Sequence, residues 1–386
     1  MIARPPQPTD IAMSAALDIF IVAPPGLEPV LAEEAAERGF APATPVPGGV
    51  AVTGDWAEVW RANLELRGAT RVLVRVAEFR ALHLAQLDKR ARKVDWAALL
   101  RADVPVRVEA TCRKSRIYHD GAAATRIARA IADGAGAPLA ADRAAGPVVV
   151  KARIEDDLCT ISVDATGESL HRRGHKQQVG KAPLRETLAA LILRASGYRG
   201  DEPVLDPMCG SGTFVIEAAE IAAGLAPGRS RGFAFEQLAT LDADAWAAMR
   251  AAATVRAEPP CGIAFTGYDR DGGAVAAAAA NAERAGVGGL CTFARHPIGA
   301  LERPAGLPGL VAVNPPYGTR IGARKALHAL YDSLGRRLAD DFGGWRVAMV
   351  TADAGLARST GLPLEEGPVM PHGGLRLRLY RTGPLP

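Results

Sequence analysis

The sequence lacks the cysteine spacing that metal sites and disulfide frameworks need. Its five cysteines (Cys112, Cys159, Cys209, Cys261 and Cys291) stand far apart, and none joins a C-x-x-C or a Cys/His cluster. No metal is expected, and reduced cytosolic thiols fit best. The chain also lacks an apolar run approaching the 18 or so residues of a membrane span. The first twenty residues lack a charged segment followed by a long apolar one, so no secretory signal is read there. Membrane partners are therefore not expected, and the localisation expected is cytoplasmic. Neither a G-x-G-x-x-G dinucleotide fingerprint nor a Gly-Lys-Ser/Thr phosphate loop is present, and no internal repeat is evident.

What remains is an ordinary globular composition, 48% hydrophobic and 23% charged over 386 residues. That length suits two or three domains. Net charge is only +4, but it is unevenly spread. Residues 71–129 carry 14 Lys/Arg against 6 Asp/Glu, whereas residues 201–260 carry 4 against 9. A basic front half before a neutral-to-acidic back half suggests a polyanion-binding part and a separate catalytic part.

Along the chain, residues 1–16 read as a disordered tail. Residues 17–69 open a β-α-β-α-β pattern that runs on into a strand to residue 80, compatible with a ferredoxin-like unit. Residues 70–165 continue with short strands and helices, including one helix over "HLAQLDKRARKVDWAALL". "GESLHRRGHKQQVGKAP", within residues 166–183, is polar, basic and glycine-bearing, and reads as a linker. From residue 184 to 386 longer strand-helix units alternate, which argues for an open parallel sheet with right-handed crossovers. The end of the chain reads as a hairpin over a Gly-Gly turn.

Three strand ends carry the chemistry. "LDPMCGSGT" (205–213) passes from strand to helix through a glycine turn, with Asp206 at the carboxyl end of the strand. Gly210 and Gly212 let a ligand approach the backbone, and Asp206 suits a cation or a ligand amine rather than a pyrophosphate. "TGYDRD" (266–271) puts Asp269 at the tip of the next strand, where an acid accepts ribose hydroxyls; Asp271 is placed to cap the following helix. Together they imply an adenosine ligand without a diphosphate, and S-adenosylmethionine fits.

"NPPY" (314–317) ends a later strand. The Asn314 side-chain oxygen and the Pro315 carbonyl are two acceptors for the two hydrogens of an exocyclic amine. The prolines stiffen that geometry, and Tyr317 offers a ring face for a base extruded from its stack.

With these motifs on the page, region 181–380 resembles the class I S-adenosylmethionine-dependent methyltransferases that act on planar amines. The implied fold is α/β, a Rossmann-like methyltransferase domain preceded by an α+β ferredoxin-like/THUMP RNA-binding module. "SVDATGESLHRRGHK", "APLRETLAA" and "NPPYGTRIG" together look like the THUMP-bearing RNA guanine-N2 methyltransferases of the bacterial large-subunit (23S) rRNA type. The resemblance implies cofactor contacts at Asp206, Met208, Gly210, Gly212, Thr213, Asp269 and Asn314, and catalytic roles for Asn314, Pro315 and Tyr317. RNA would be the partner, rRNA first and tRNA second. A non-catalytic RNA-binding or ribosome-assembly protein is the alternative of a different class. RNA phosphates would meet Lys89, Arg90, Arg92, Lys93, Arg113, Lys114, Arg116, Arg172, Arg173 and Lys176, with Arg320 near the base. One departure stands out: such enzymes carry an acid or amide after the third strand, and this chain has Arg295 and His296 there. No partner for the adenine amine is assigned.

Overall fold

The computed structural model describes residues 16–140, 146–177, 184–254, 262–317 and 324–386. Residues 1–15 of the tail expected at 1–16, residues 178–183 of the linker expected at 166–183, Cys261 and Arg320 lie outside the described residues.

The front half is a seven-stranded sheet. Its first unit runs β1 (Leu17–Val22), α1 (Glu28–Glu37), β2 (Thr44–Val46), β3 (Gly49–Gly54), α2 (Trp56–Glu65) and β4 (Arg71–Arg80). Alternation puts Ile19, Ile21, Val50, Val52, Val72 and Val74 on one buried face. The second unit runs α3 (Leu84–Ala91), β5 (Val106–Arg113), α4 (Asp120–Ala135), β6 (Val148–Glu155) and β7 (Leu158–Asp164). Strand order is β2-β3-β1-β4-β7-β6-β5. β4 pairs antiparallel with β1 on one edge and with β7 on the other, so the sheet passes unbroken through the boundary read at 69/70.

The single helix expected over 83–100 is shorter. α3 stops at Ala91, because Trp96 turns back, is almost fully buried, and donates its indole N–H to the Ala91 carbonyl at 2.9 Å. A side chain thereby satisfies a carbonyl at the helix end.

The back half runs α5 (Glu186–Ala195), β8 (Val204–Asp206), α6 (Thr213–Ala222), α7 (Ala243–Ala252), β9 (Phe265–Asp269), α8 (Gly272–Arg284), β10 (Cys291–Arg295), β11 (Leu310–Val313), α9 (Arg324–Asp341), β12 (Arg346–Thr351), α10 (Ala354–Arg358), β13 (Glu365–His372) and β14 (Leu375–Arg381). The order is β10-β9-β8-β11-β12-β14-β13. β8 to β12 are parallel, and the terminal hairpin turns at Gly373–Gly374, both with positive φ, and adds antiparallel. Strand order reverses between β8 and β11, which opens a crevice at their carboxyl ends. No described helix is long and apolar enough to cross a membrane.

The segment expected as a linker is not a free tether. Leu170, Arg173 and His175 are buried, and Arg231 holds the carbonyls of Ser169 and Arg172 at 2.8 and 3.1 Å. The halves also meet through stacked aromatic rings: Trp60 lies 6.1 Å from Phe235, whose ring stands edge-on to Trp246 at 4.9 Å. At the centre, Arg67 and Arg173 both reach Glu217 of α6, at 2.7 and 3.2 Å.

Candidate active site

The sheet builds the site from three neighbouring strand ends. β8 ends on Asp206, which is almost fully buried and accepts the Met208 N–H at 3.0 Å. Burial pushes its carboxyl up to about 8; the Met208 hydrogen bond opposes that rise, and the nearby Asp269 charge adds to it. A buried carboxyl so placed gains from an ammonium partner, which would restore its ionised form.

The glycine turn after β8 is conformationally demanding. Gly210 and Gly212 have φ of +52° and +85°, and Gly212 caps α6. A Cβ on Gly212 would come within 3.0 Å of Ala278 and 3.1 Å of Ile216. The first turn of α6 therefore lies against α8 with no room for a side chain between them.

Asp269, at the end of β9, accepts the Gly210 N–H at 3.0 Å through one oxygen and the Asp271 N–H at 2.9 Å through the other. It thus ties the second strand end to the glycine turn. Asp271 caps α8 by accepting from Gly273 at 2.8 Å, as the sequence suggested. Cys209 is buried between them, and burial pushes its thiol up, away from a nucleophilic thiolate.

β11 delivers Asn314 and Pro315 across the reversal point. The Asn314 Oδ1 is shielded from solvent and has no hydrogen-bond partner among the described residues. Pro315 is buried, Pro316 exposed and Tyr317 half-buried, its ring packed against both apolar cores. An unpaired buried acceptor costs about 1–3 kcal/mol unless a ligand satisfies it. Asp206, Asp269 and Asn314 are thus brought to one crevice, with Met208 half-buried beside them. These groups fit S-adenosylmethionine: an acid for its amine, an acid for its ribose, and a backbone turn without side chains.

Sequence reasoning noted His296 as a departure but gave it no role. It follows β10, donates its backbone N–H to the Asp269 carbonyl at 2.9 Å, and sets its ring 5.0 Å from Tyr268. Its Nδ1 is buried without a partner among the described residues. The signal was the unusual "RHP" after β10, but only the parallel register that opposes Arg295 to Asp269 places it at the crevice.

The basic residues divide. Lys89, Arg90, Arg92 and Lys93 are exposed on and just after α3, although Arg92 is paired with Asp88 and Asp133. Arg113, Lys114 and Arg116 are exposed at the end of β5 and in the loop after it, and Arg172 is exposed beside Glu168. Arg173 and Lys176 must be corrected. Arg173 is 2% exposed and committed to Glu217. Lys176 donates to Thr213 Oγ1 at 2.9 Å and lies 3.3 Å from Glu186, so it braces the first turn of α6. Neither is open to RNA phosphates. His171 is held down to about 4 by burial and then by Arg185 and its neighbouring cations, so it stays neutral. No group of three or more His, Cys, Asp or Glu able to hold a metal occurs among the described residues.

Comparison with known proteins agrees with this architecture. The family model for the RlmL ferredoxin-like domain matches residues 18–73, and that for the RMKL-like methyltransferase domain matches residues 173–362. A Synechocystis protein described as a candidate RNA methyltransferase is 32% identical over 92% of this chain and 94% of its own length. The ribosomal RNA large subunit methyltransferase K/L of Chromohalobacter salexigens is 36% identical over 95% of this chain but 52% of its own length. The chain thus spans about half the length of the K/L relatives it matches. Among solved structures, SMU.472, a candidate methyltransferase bound to S-adenosylhomocysteine, is 28% identical with a TM-score of 0.87 over 97% of this chain and all of its own. A Listeria monocytogenes protein described as an N6-adenine-specific DNA methylase is also 28% identical, at a TM-score of 0.84 over 96% of this chain and 97% of its own. S-adenosylmethionine is accordingly the methyl donor of this fold. The crevice, the glycine turn and both domain matches place the chain in the family of methyltransferases that couple an RlmL ferredoxin-like domain to an RMKL-like catalytic domain.

Proposed function

We propose that the chain methylates the exocyclic N2 amine of a guanine in 23S rRNA, in the cytoplasm. The observation that carries this reading is the unpartnered Asn314 Oδ1 at the end of β11, across the strand reversal from Asp206. Asn314 Oδ1 and the Pro315 carbonyl accept the two amine hydrogens, which directs the nitrogen lone pair out of the base plane. Tyr317 offers the face on which the flipped base rests, against an unstacking cost of a few kcal/mol. Asp206 holds the ammonium of the methyl donor, Asp269 its ribose, and the Gly210–Gly212 turn lies along it. S-adenosylmethionine supplies an electrophilic methyl group, and the chain contributes positioning and exclusion of water. The names of the K/L relatives support 23S rRNA as the target.

The test is transfer of labelled methyl from S-adenosylmethionine to deproteinised 23S rRNA, bulk tRNA and duplex DNA, followed by nucleoside mass spectrometry. N2-methylguanosine in the rRNA is expected. Label confined to tRNA, or carried on adenine N6, replaces the target; no label from protein that binds S-adenosylmethionine sinks the catalytic reading.

A further inference from the structure

The last residue of β5 and the loop that follows it to α4 read "RKSRIYH" (113–119), and this stretch holds the most exposed aromatic ring among the described residues. Tyr118 is 83% exposed, whereas every other Phe, Trp and Tyr is buried or half-buried. Lone exposed aromatics are unremarkable on flexible loops, but this loop is tied down at each step. The Cys112 N–H donates to Asp120 at 2.7 Å, Ser115 Oγ donates to the Arg113 carbonyl at 2.7 Å, and the Asp157 N–H donates back to Ser115 Oγ at 3.0 Å. The Arg116 N–H donates to Asp157 Oδ1 at 2.8 Å. Ile117, next to the tyrosine, is buried as an anchor, and His119 Nδ1 caps α4 by accepting from Ala122 at 3.1 Å. A ring is therefore held out in water by a scaffold that leaves it little freedom to fold back.

Charge completes the picture. Arg113, Lys114 and Arg116 are exposed on the same seven-residue stretch, and none has an ion-pair partner among the described residues. The neighbouring carboxylates are engaged instead: Asp120 and Asp157 accept backbone N–H groups, and Glu155 pairs with Arg153. Unpaired cations around a rigid, exposed aromatic face are the two requirements for gripping an unpaired nucleotide: phosphate attraction and a stacking surface.

We propose that the 113–119 loop is a stacking site for an unpaired RNA nucleotide, with Tyr118 as the platform and Arg113, Lys114 and Arg116 on the flanking phosphates. The site is remote in sequence from Asn314 and serves to anchor the substrate; it rests on the reading of the substrate as RNA. Stacking on one ring is indifferent to base identity, so the loop selects single-stranded over paired segments without reading sequence.

The test uses the full chain and a fluorescein-labelled single-stranded RNA of about 12 nucleotides, together with the same sequence as a duplex. Tyr118→Ala is expected to weaken single-strand binding by about 5- to 100-fold with the salt slope unchanged, and Tyr118→Phe to bind as the native chain does. Arg116→Ala is expected to reduce the salt slope by about 0.7. Calorimetric binding of S-adenosylmethionine shows that each variant is folded. Native-like single-strand affinity in Tyr118→Ala overturns the platform alone, as does an equal loss on duplex. A native chain that binds neither RNA overturns the platform together with the RNA reading beneath it.

Discussion

Arg67 and Glu217 form an ion pair of 2.7 Å across the join of the two halves, with side chains only 6% and 1% exposed. Arg67 lies between α2 and β4 of the front half, and Glu217 lies in α6, the helix that springs from the glycine turn. Glu220 of the same helix accepts from Arg229, and Arg173 comes in from the connecting segment to share Glu217. Burial opposes ionisation of Glu220, but the Arg67 and Arg229 charges outweigh it and hold the carboxyl below its usual range. The acidic excess around 201–260 thus has a partner inside the molecule.

Removing one member of such a pair leaves a buried charge alone. Arg67→Ala is expected to cost about 3–5 kcal/mol, because the desolvated carboxylates lose their counter-charge. Urea unfolding followed by tryptophan fluorescence checks this; a loss under about 1 kcal/mol would mean that water replaces the guanidinium readily.

The same logic separates two adjacent arginines. Arg173→Ala is expected to lower stability by a comparable amount, about 3 kcal/mol. Arg172→Ala breaks only an exposed pair with Glu168 and is expected to change stability by less than about 1 kcal/mol. Thermal unfolding of the two variants side by side decides it, and equal losses would contradict the assignment.

Asp206 predicts a pH dependence. Its folded carboxyl titrates at about 8 against an ordinary 3.8, so the fold favours the protonated form. Its contribution to stability is full below the ordinary value and is lost as pH rises through about 8. Binding an ammonium reverses the preference and releases the proton. S-adenosylmethionine affinity should therefore strengthen between pH 6 and 8, by up to about tenfold per unit, and Asp206→Asn should flatten the profile. Calorimetry in two buffers of different ionisation heat reads the released proton directly.

Gly212→Ala is expected to weaken S-adenosylmethionine binding and destabilise the back half by about 1–3 kcal/mol. The new Cβ meets Ala278 at 3.0 Å at a φ of +85°. Equilibrium dialysis with labelled cofactor measures the first effect and urea unfolding the second.

Asn314→Ala is expected to lower methyl transfer about 100-fold or more while leaving the folded state intact, since it removes one of two amine acceptors. Single-turnover transfer to rRNA measures it. Full activity in this variant would show that the amine is held elsewhere.

How far these features could be read in advance depended on range. The strand-end signals at Asp206, Asp269 and Asn314 were legible because in a parallel sheet a residue at a strand's carboxyl end faces the crevice whatever its neighbours. The early end of α3 was not legible, since it depends on Trp96 folding back on the helix rather than on the helix's own pattern. The burial of Arg173 was also hidden: a basic string reads as solvated until Glu217, 44 residues away, is brought beneath it. His296 needed the register of β9 and β10. Long-range pairing decided the last two, whereas the end of α3 turned on a side-chain contact only five residues away.

The unbroken front sheet and the buried arginine clasp have a mechanical consequence. On the proposed reading, a front half fastened to the crevice in this way works as a calliper: its opening is set by the protein, not by the RNA. Such a tool selects its target by span. On the proposed reading it would accept, among many chemically identical amines, the one lying a fixed reach from whatever the front half holds, so that selection among chemically equal bases is written in distance.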